Sequence, residues 1–323
     1  MKNTYAHRGA ATRENRQLQG RDLVACSQAP RKSPDQIEWV KSLPFLFLHS
    51  ACFLVFWCGV SWSALAVCAS LYVLRVGSIS AGFHRYFSHR TYKTTRAFQF
   101  LMAWIATSAT QKGPLWWAAN HRHHHAHSDT ESDAHSPRDG FWWSHVGWFL
   151  SGRYSATDFR LIPDLAAYPE LRVLNDYHFI PPILLAASVS ALGAWLKHAA
   201  PALHTSAFQM LVWGYFVSTV LGYHSTFMVN SLAHVFGRRR FPTRDDSRNN
   251  LLIALVTFGE GWHNNHHFAP SSERQGFFWW EIDVTHYVLS ILSWVGLVWD
   301  LNRPPQGVYD ADVSIDKETA IVP

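Results

Sequence analysis

The sequence predicts an all-α integral membrane protein: four transmembrane helices in two hairpins, with a cytoplasmic helical cap that carries a histidine-rich site. Three observations lead there. Apolar residues gather into long uncharged runs, Lys and Arg are confined to the segments between those runs, and the twenty histidines include three tight clusters.

Residues 1–42 are polar and lack the apolar core of a signal peptide, so they read as a flexible cytoplasmic arm, with the first span as its own insertion signal. Residues 43–74 contain no Asp, Glu, Lys or Arg. A single spanning helix needs about 20 residues, so this run holds two. The turn falls near Gly59-Val60-Ser61-Trp62-Ser63, and the second helix runs to about Phe83 with Arg75 as its one charge. A second pair follows at 179–196, opened by Pro181 and Pro182, which a first helical turn tolerates, and at 208–229, which is largely apolar and contains His224. The runs 98–109, 251–258 and 287–299 are too short to span and read as interfacial or buried helices. Residues 43–304 thus make one membrane domain, followed by a polar tail at 305–323.

Of the 28 Lys and Arg, only Arg75 and Lys197 lie outside three segments: the arm to Lys41, residues 84–178, and the chain after Val229. The positive-inside rule sends those segments to the cytoplasm, which places both termini and the histidine clusters on the cytoplasmic side of the inner (cytoplasmic) membrane. The net charge of +5 follows from that topology and from anionic lipid headgroups, and calls for no nucleic-acid partner. Arg75, about nine residues from the cytoplasmic end of its helix, is costly to bury unless it snorkels or finds a partner; snorkelling toward the interface is the expectation, with binding of substrate or a redox partner as the alternative. Cys26, Cys52, Cys58 and Cys68 form no C-x-x-C pair, so neither a disulfide framework nor an iron–sulfur site is indicated. Tryptophan pairs such as Trp142-Trp143 and Trp279-Trp280 suit an interfacial belt.

The first cluster pairs His84 with His89; the second holds His121, His124 and His125; the third holds His263, His266 and His267. In the latter two, spacings of i, i+3 and i+4 put the rings on one helix face. His234, just beyond the last span, is a further candidate. A lone H-x-x-x-x-H is a weak signal, and 121–127 also reads as a solvated histidine-biased stretch. Joint placement on one membrane face favours ligation. Nine imidazoles exceed the about four to six ligands of one ion, so two metals are the economical reading, and neutral imidazole suits iron, zinc and copper alike. Asp129, Glu131, Asp133 and Glu260 are candidate acceptors for ring N–H groups, or ordinary surface charges. His123, His127, His135, His145, His178 and His224 read as surface residues, as supports behind the ligating rings, or as satisfied polar residues. A histidine-rich metal transporter would carry its ligands midway through the spans, whereas these lie at the cytoplasmic ends.

The stretches Ala81–Arg90, Asn120–His125, Gly140–Trp148, Asn230–His234 and Gly259–His267 resemble the membrane fatty acid desaturase family, in particular its bacterial stearoyl-CoA-type acyl-CoA desaturases, over about residues 71–304. The resemblance implies two irons held by His84, His89, His121, His124, His125, His234, His263, His266 and His267, with Asn230 reaching one through a water. It implies O2-dependent removal of two hydrogens from adjacent methylenes, near carbon nine of a fatty acyl chain. It also implies a kinked apolar tunnel shaped by Gln111, Trp117 and Thr226, closed at its far end by Tyr72, with Val76 one turn nearer the metals; packing alone is the other reading of Tyr72 and Val76. A histidine-box lipid hydroxylase is the nearest alternative. The chain has no G-x-G-x-x-G, no C-x-x-C-H and no cysteine cluster, so electrons come from a separate ferredoxin, rubredoxin or cytochrome with its reductase, with Arg238-Arg239-Arg240 as candidate docking residues. Acyl-CoA is the favoured carrier on this resemblance. Yet Ala119-Asn120 stands where the animal enzymes carry an Arg-Asp pair, and so few cations for CoA phosphates leave a lipid-bound acyl chain as the alternative.

Overall fold

The computed structural model describes residues 36–310; the remainder of the expected arm and tail lies outside the described residues. The chain is predominantly helical, and the sheet among the described residues is one short antiparallel pair, β1 (Lys93–Thr94) against β2 (Val298–Trp299).

Among the described residues three helices are long and apolar enough to cross a membrane: α1 (Trp39–Cys58), α2 (Trp62–Ser88) and α5 (Ile180–Ala199). Only 17% of the apolar window of α1 is buried inside the molecule. Phe53, Phe56 and Trp57 lie on its exposed surface, an apolar area that suits lipid better than water. The α1–α2 turn falls where expected. Gly59 adopts a φ of +66°, which glycine takes without Cβ strain, and the Ser61 hydroxyl caps α2 by accepting from Ala64 N at 3.2 Å.

Two expectations change. The second helix does not stop near Phe83; it continues to Ser88, and its last ten residues, Ile79–Ser88, are π-helical. At about 100° per residue an α-helix would set His84 and His89 some 140° apart. The wider π-turn brings them to one side, so the helix end itself becomes part of the site. The fourth expected span is a continuous helical run, α6, made of Ala207–Met210, the π-helical Leu211–Val217 and Ser218–Asn230. It is less apolar than the other three because its inner face carries the polar groups that receive Arg75.

Arg75 does not snorkel. It is 2% exposed, and its guanidinium donates to Thr219 Oγ1 at 2.8 Å, Leu71 O at 3.2 Å, Ser108 O at 3.4 Å and the Ser218 hydroxyl. Neutral acceptors on α2, on α6 and at Ser108 thus substitute for water around a buried cation.

The remaining helices position the site. α3 (Arg96–Thr107) is capped by Thr95, α4 (Pro114–His127) starts with Pro114, and α7 (His263–Phe268) carries the third histidine cluster. α8 (Val284–Trp294) is capped by Asp283 and starts three residues before the apolar run at 287–299. Aliphatic and aromatic side chains of α2, α3 and α4, among them Phe83, Phe87, Ala103, Leu115 and Ala118, form a buried cluster beneath the histidines.

Arg75→Ala leaves four acceptors in an apolar interior without their donor, at an expected cost of roughly 2–4 kcal/mol. Thermal unfolding in detergent micelles checks this, and an unchanged Tm contradicts the role given to Arg75.

Candidate metal centre

Nine histidines converge in two groups, within each of which one ring nitrogen per residue lies within 4.8 Å of the others. The first group is His84, His89, His121, His125 and His266; the second is His124, His234, His263 and His267. The helices α4 and α7 each serve both, whereas the end of α2 supplies only the first. On α4, His121 and His125 turn to the first group and His124 to the second; on α7, His266 joins the first while His263 and His267 join the second. The groups are adjacent, with the His125 and His267 rings stacked at 4.4 Å.

The nitrogens are spaced as ligands of common ions would be. Two nitrogens about 2.1 Å from one ion and at right angles to each other lie about 3.0 Å apart. The Nε2···Nε2 separations are 3.0 Å for His84–His266, 2.8 Å for His89–His121, 3.0 Å for His125–His266 and 2.9 Å for His234–His263. His124 Nε2 and His267 Nε2 are buried without a hydrogen-bond partner, an arrangement that protein atoms alone leave costly.

Carboxylates hold the opposite sides of the rings. His124 Nδ1 donates to Asp133 at 2.9 Å, His234 Nδ1 to Asp129 at 2.8 Å and His267 Nδ1 to Asp245 at 2.9 Å, while His84 Nδ1 meets Glu260. Each bond fixes the tautomer that aims Nε2 into the group. Of the four acids singled out from sequence, Asp129, Asp133 and Glu260 take this place and Glu131 lies exposed. Asp245 and Gln275, whose Nε2 lies 3.2 Å from His84 Nδ1, carried no sequence signal, because both approach from distant loops. The single Glu-x-x-His spacing, Glu260–His263, does not act as a unit, since Glu260 serves His84.

Burial, followed by the neighbouring imidazoles, pushes the pKa values of His89, His121, His125, His263 and His266 well below the ordinary range. Burial also brings His267 down to about 4 against the pull of Asp245. For His124 burial works the same way but Asp133 outweighs it, and the pKa rises. Burial raises the Asp129 and Glu260 carboxyls, yet His234 on the one and His84 with Arg85 on the other hold both at about 2. Six of the rings are therefore held as neutral imidazoles, and ionised carboxylates stand behind the site, a donor set made for cations. Buried Asp129, Asp133, Asp245 and Glu260 stand behind histidines, while Glu260, Glu273 and Asp283 also meet the buried Arg85 guanidinium, so carboxylates outnumber the one buried guanidinium here.

A mostly apolar cavity of about 580 Å³ leads to the first group. It opens between α1 and α5 at Lys41, Phe47, Phe179 and Ile183 and ends at Trp117, His121, Thr226 and Asn230. The same four inner residues line a second chamber of about 40 Å³ that continues to Val76 and Ile79. Gln111 Nε2 donates to Thr226 Oγ1 at 3.0 Å where the two meet, and Trp117 stacks on His121. Tyr72 lines neither space. It lies one turn below Val76, with its hydroxyl on Val256 O at 2.6 Å and Ser225 Oγ at 2.7 Å.

Of the histidines outside the nine, His135 and His145 are buried and His224 is half-buried. His135 is buried, stacks on His124 at 4.2 Å and lines the larger cavity. His145 and His224 form a chain with His49, with contacts of 3.0 and 3.2 Å.

Comparison with known proteins shows what the chain is similar to. A family profile described as fatty acid desaturase matches residues 60–295. The chain is 39% identical to an sn-1 stearoyl-lipid 9-desaturase of Anabaena variabilis over 81% of its length and 93% of that protein's. It is 36% identical to an sn-2 palmitoyl-lipid 9-desaturase of Nostoc sp. (strain 36), covering 86% and 95%. It is also 34% identical to an acyl-CoA C20 Delta5-desaturase of Anemone leveillei, covering 88% and 91%.

The depressed imidazoles make the fold acid-labile. In the metal-free protein, below the unfolded histidine value of about 6.5, the unfolded chain takes up protons that six buried rings refuse, so stability falls with pH. His124 works in the opposite sense, one ring against six. Near-ultraviolet circular dichroism should show Tm falling steadily from pH 7 to pH 5; a flat profile contradicts the depressed values.

Proposed function

The chain belongs to the fatty acid desaturase family, and from that premise we propose that it is a di-iron acyl-lipid desaturase of the delta-9 type. His84, His89, His121, His125 and His266 would hold one iron and His124, His234, His263 and His267 the other, with Asn230 reaching one of them through a water. Such a centre, once reduced, supplies the O2-derived oxidant that takes two hydrogens from adjacent methylenes. The protein's own part is orientation: unactivated C–H bonds react only where they are held.

The observation that carries the proposal is the cavity, whose apolar walls end at His121 and Asn230 beside the histidines. Gln111, Thr226 and Trp117 would bend the acyl chain there, Val76 would meet it beyond the bend, and Tyr72 would close the far end behind Val76.

The mouth favours a chain attached to a membrane lipid over acyl-CoA. It is rimmed by Phe47, Phe179 and Ile183, which are 61%, 51% and 60% exposed. Of its two lysines, Lys41 pairs with Glu38, and Lys112 donates to Ser155 O and lies over the Trp116 ring. Neither makes the cation cluster that CoA phosphates require. Acyl-CoA is the second reading, supported by the name of the Anemone relative.

We place α6 beside α1, α2 and α5 as a fourth span, giving two hairpins. At about 1.5 Å per residue the run 207–230 exceeds the roughly 30 Å hydrocarbon core. The Lys and Arg distribution supports both termini and the metal centre on the cytoplasmic side of the inner membrane.

Expression in a host of known lipid composition, with mass spectrometry of intact lipids, should reveal a new monounsaturated acyl chain with its double bond near carbon nine. An unchanged profile from iron-loaded protein with a competent electron donor overturns the proposal, and a hydroxylated chain transfers it to the lipid hydroxylases.

Metal analysis should give two irons per chain, both lost in His124→Ala or His266→Ala. Asp245→Asn, which touches no metal, should weaken retention about 10- to 100-fold; full iron occupancy at limiting metal would remove Asp245 from that role.

A further inference from the structure

Each turnover of a desaturase converts –CH2–CH2– to –CH=CH– and reduces O2 to two waters. Two of the four electrons come from the substrate, and the other two, with two protons, come from outside. The chain carries no flavin, haem or iron–sulfur motif to store them, so a redox protein must bring them to a surface close to the histidines.

One surface is built for that. Residues 237–249 wrap α7: Arg238 and Asn249 exchange backbone hydrogen bonds at 2.9 and 2.8 Å, and Asn264 Oδ1 accepts from Arg240 N and Phe241 N. Gly237, at a φ of +133°, lets the loop close, because a Cβ there would meet Asn249 O at 2.3 Å. The loop sorts its charges. Asp245 turns inward to His267 and Asp246 pairs with Arg138, while among the described residues no carboxylate pairs with Arg238, Arg239, Arg244 or Arg248. Arg238 and Arg244 are exposed.

Beside these cations stands a route inward. Phe268 is 41% exposed, stacks on the buried Phe241 at 4.3 Å, and directly follows His267 in α7. A surface aromatic ring is thus one residue from a histidine of the second group and two from one of the first.

We propose that the 238–248 loop, with Phe268 at its edge, is the docking surface for an acidic one-electron carrier protein, which delivers two electrons in succession through α7. This rests on the desaturase reading above. Charge complementarity gives the encounter its rate and orientation, and the path ends on both histidine groups.

The test uses the full chain in lipid discs with an acidic plant-type [2Fe–2S] ferredoxin as probe and, separately, dithionite as a small reductant. Arg238→Glu with Arg244→Glu should lower ferredoxin-driven desaturation about tenfold or more at low salt, mainly through KM for ferredoxin. The deficit should shrink at high salt, dithionite-driven single turnover should be unchanged, and a ferredoxin with acids changed to Lys should regain rate. An unaltered KM for ferredoxin overturns the proposal. So does equal loss with both reductants, which would make the arginines supports of the metal centre, and so does weakened binding to phosphatidylglycerol vesicles with ferredoxin kinetics intact, which would make them lipid contacts. If the unaltered protein forms no unsaturated product even with dithionite, the desaturase reading itself fails. Product with dithionite but indifference to the charge reversal fails the docking surface alone.

Discussion

A fully buried arginine holds the histidine-bearing end of this protein together. Arg85 donates to Asp283 at 2.9 and 3.2 Å, to Glu260 at 3.2 Å and to Glu273 O at 2.7 Å. Those acceptors belong to different parts of the chain: Glu260 precedes α7, Glu273 follows it, and Asp283 caps α8. Removing one partner from such a network strands a charge in low dielectric, typically at about 3–5 kcal/mol. The arrangement is therefore close to all-or-none. Because Glu260 also holds His84, the charge balance that fixes the fold is the one that orients a ring of the metal centre.

The other acids extend that logic. Asp129, Asp133 and Asp245 each hold a histidine from behind, and Asp129 also accepts from Asp246 N and Ser136 Oγ. Buried anions in this excess want cations. Two metal ions would supply the charge that Arg85 alone does not, so metal loading and folding are thermodynamically linked. Nearby, Arg122 ties α4 to the end of α2 through Phe87 O and Ser88 O while pairing with Asp164, which keeps the first and second clusters in register.

How much of this could be read in the residues follows from how local each signal is. His121, His124 and His125, like His263, His266 and His267, announce themselves because an α-helix turns i, i+3 and i+4 to one side. His84 and His89 do not fit that period, and only the π-helical end of α2 explains them. The division of nine rings between two groups was not legible, since it depends on how α4 and α7 face each other. Asp245 and Gln275 were missed because long-range contacts carry no spacing. The depth of Arg75 was misjudged because its hosts, Ser218 and Thr219, look like ordinary polar interruptions of an apolar run. The same interruptions leave three clearly apolar spans where composition predicted four.

Sharing one helix between two groups also makes the helix a ruler. His121 and His125, which serve one group, and His124, which serves the other, are separated along α4 by fixed steps of about 1.5 Å rise and 100° of rotation, and α7 repeats the device from the opposite wall. No loop intervenes that could stretch or slacken the interval. The distance between the two groups is therefore set by helical pitch, and any slip of α4 or α7 would move both groups at once, one ring toward its neighbours and another away. Evolution can reshape the cavity mouth or the electron-entry surface residue by residue, but it can alter this interval only by adding or deleting a residue within a helix.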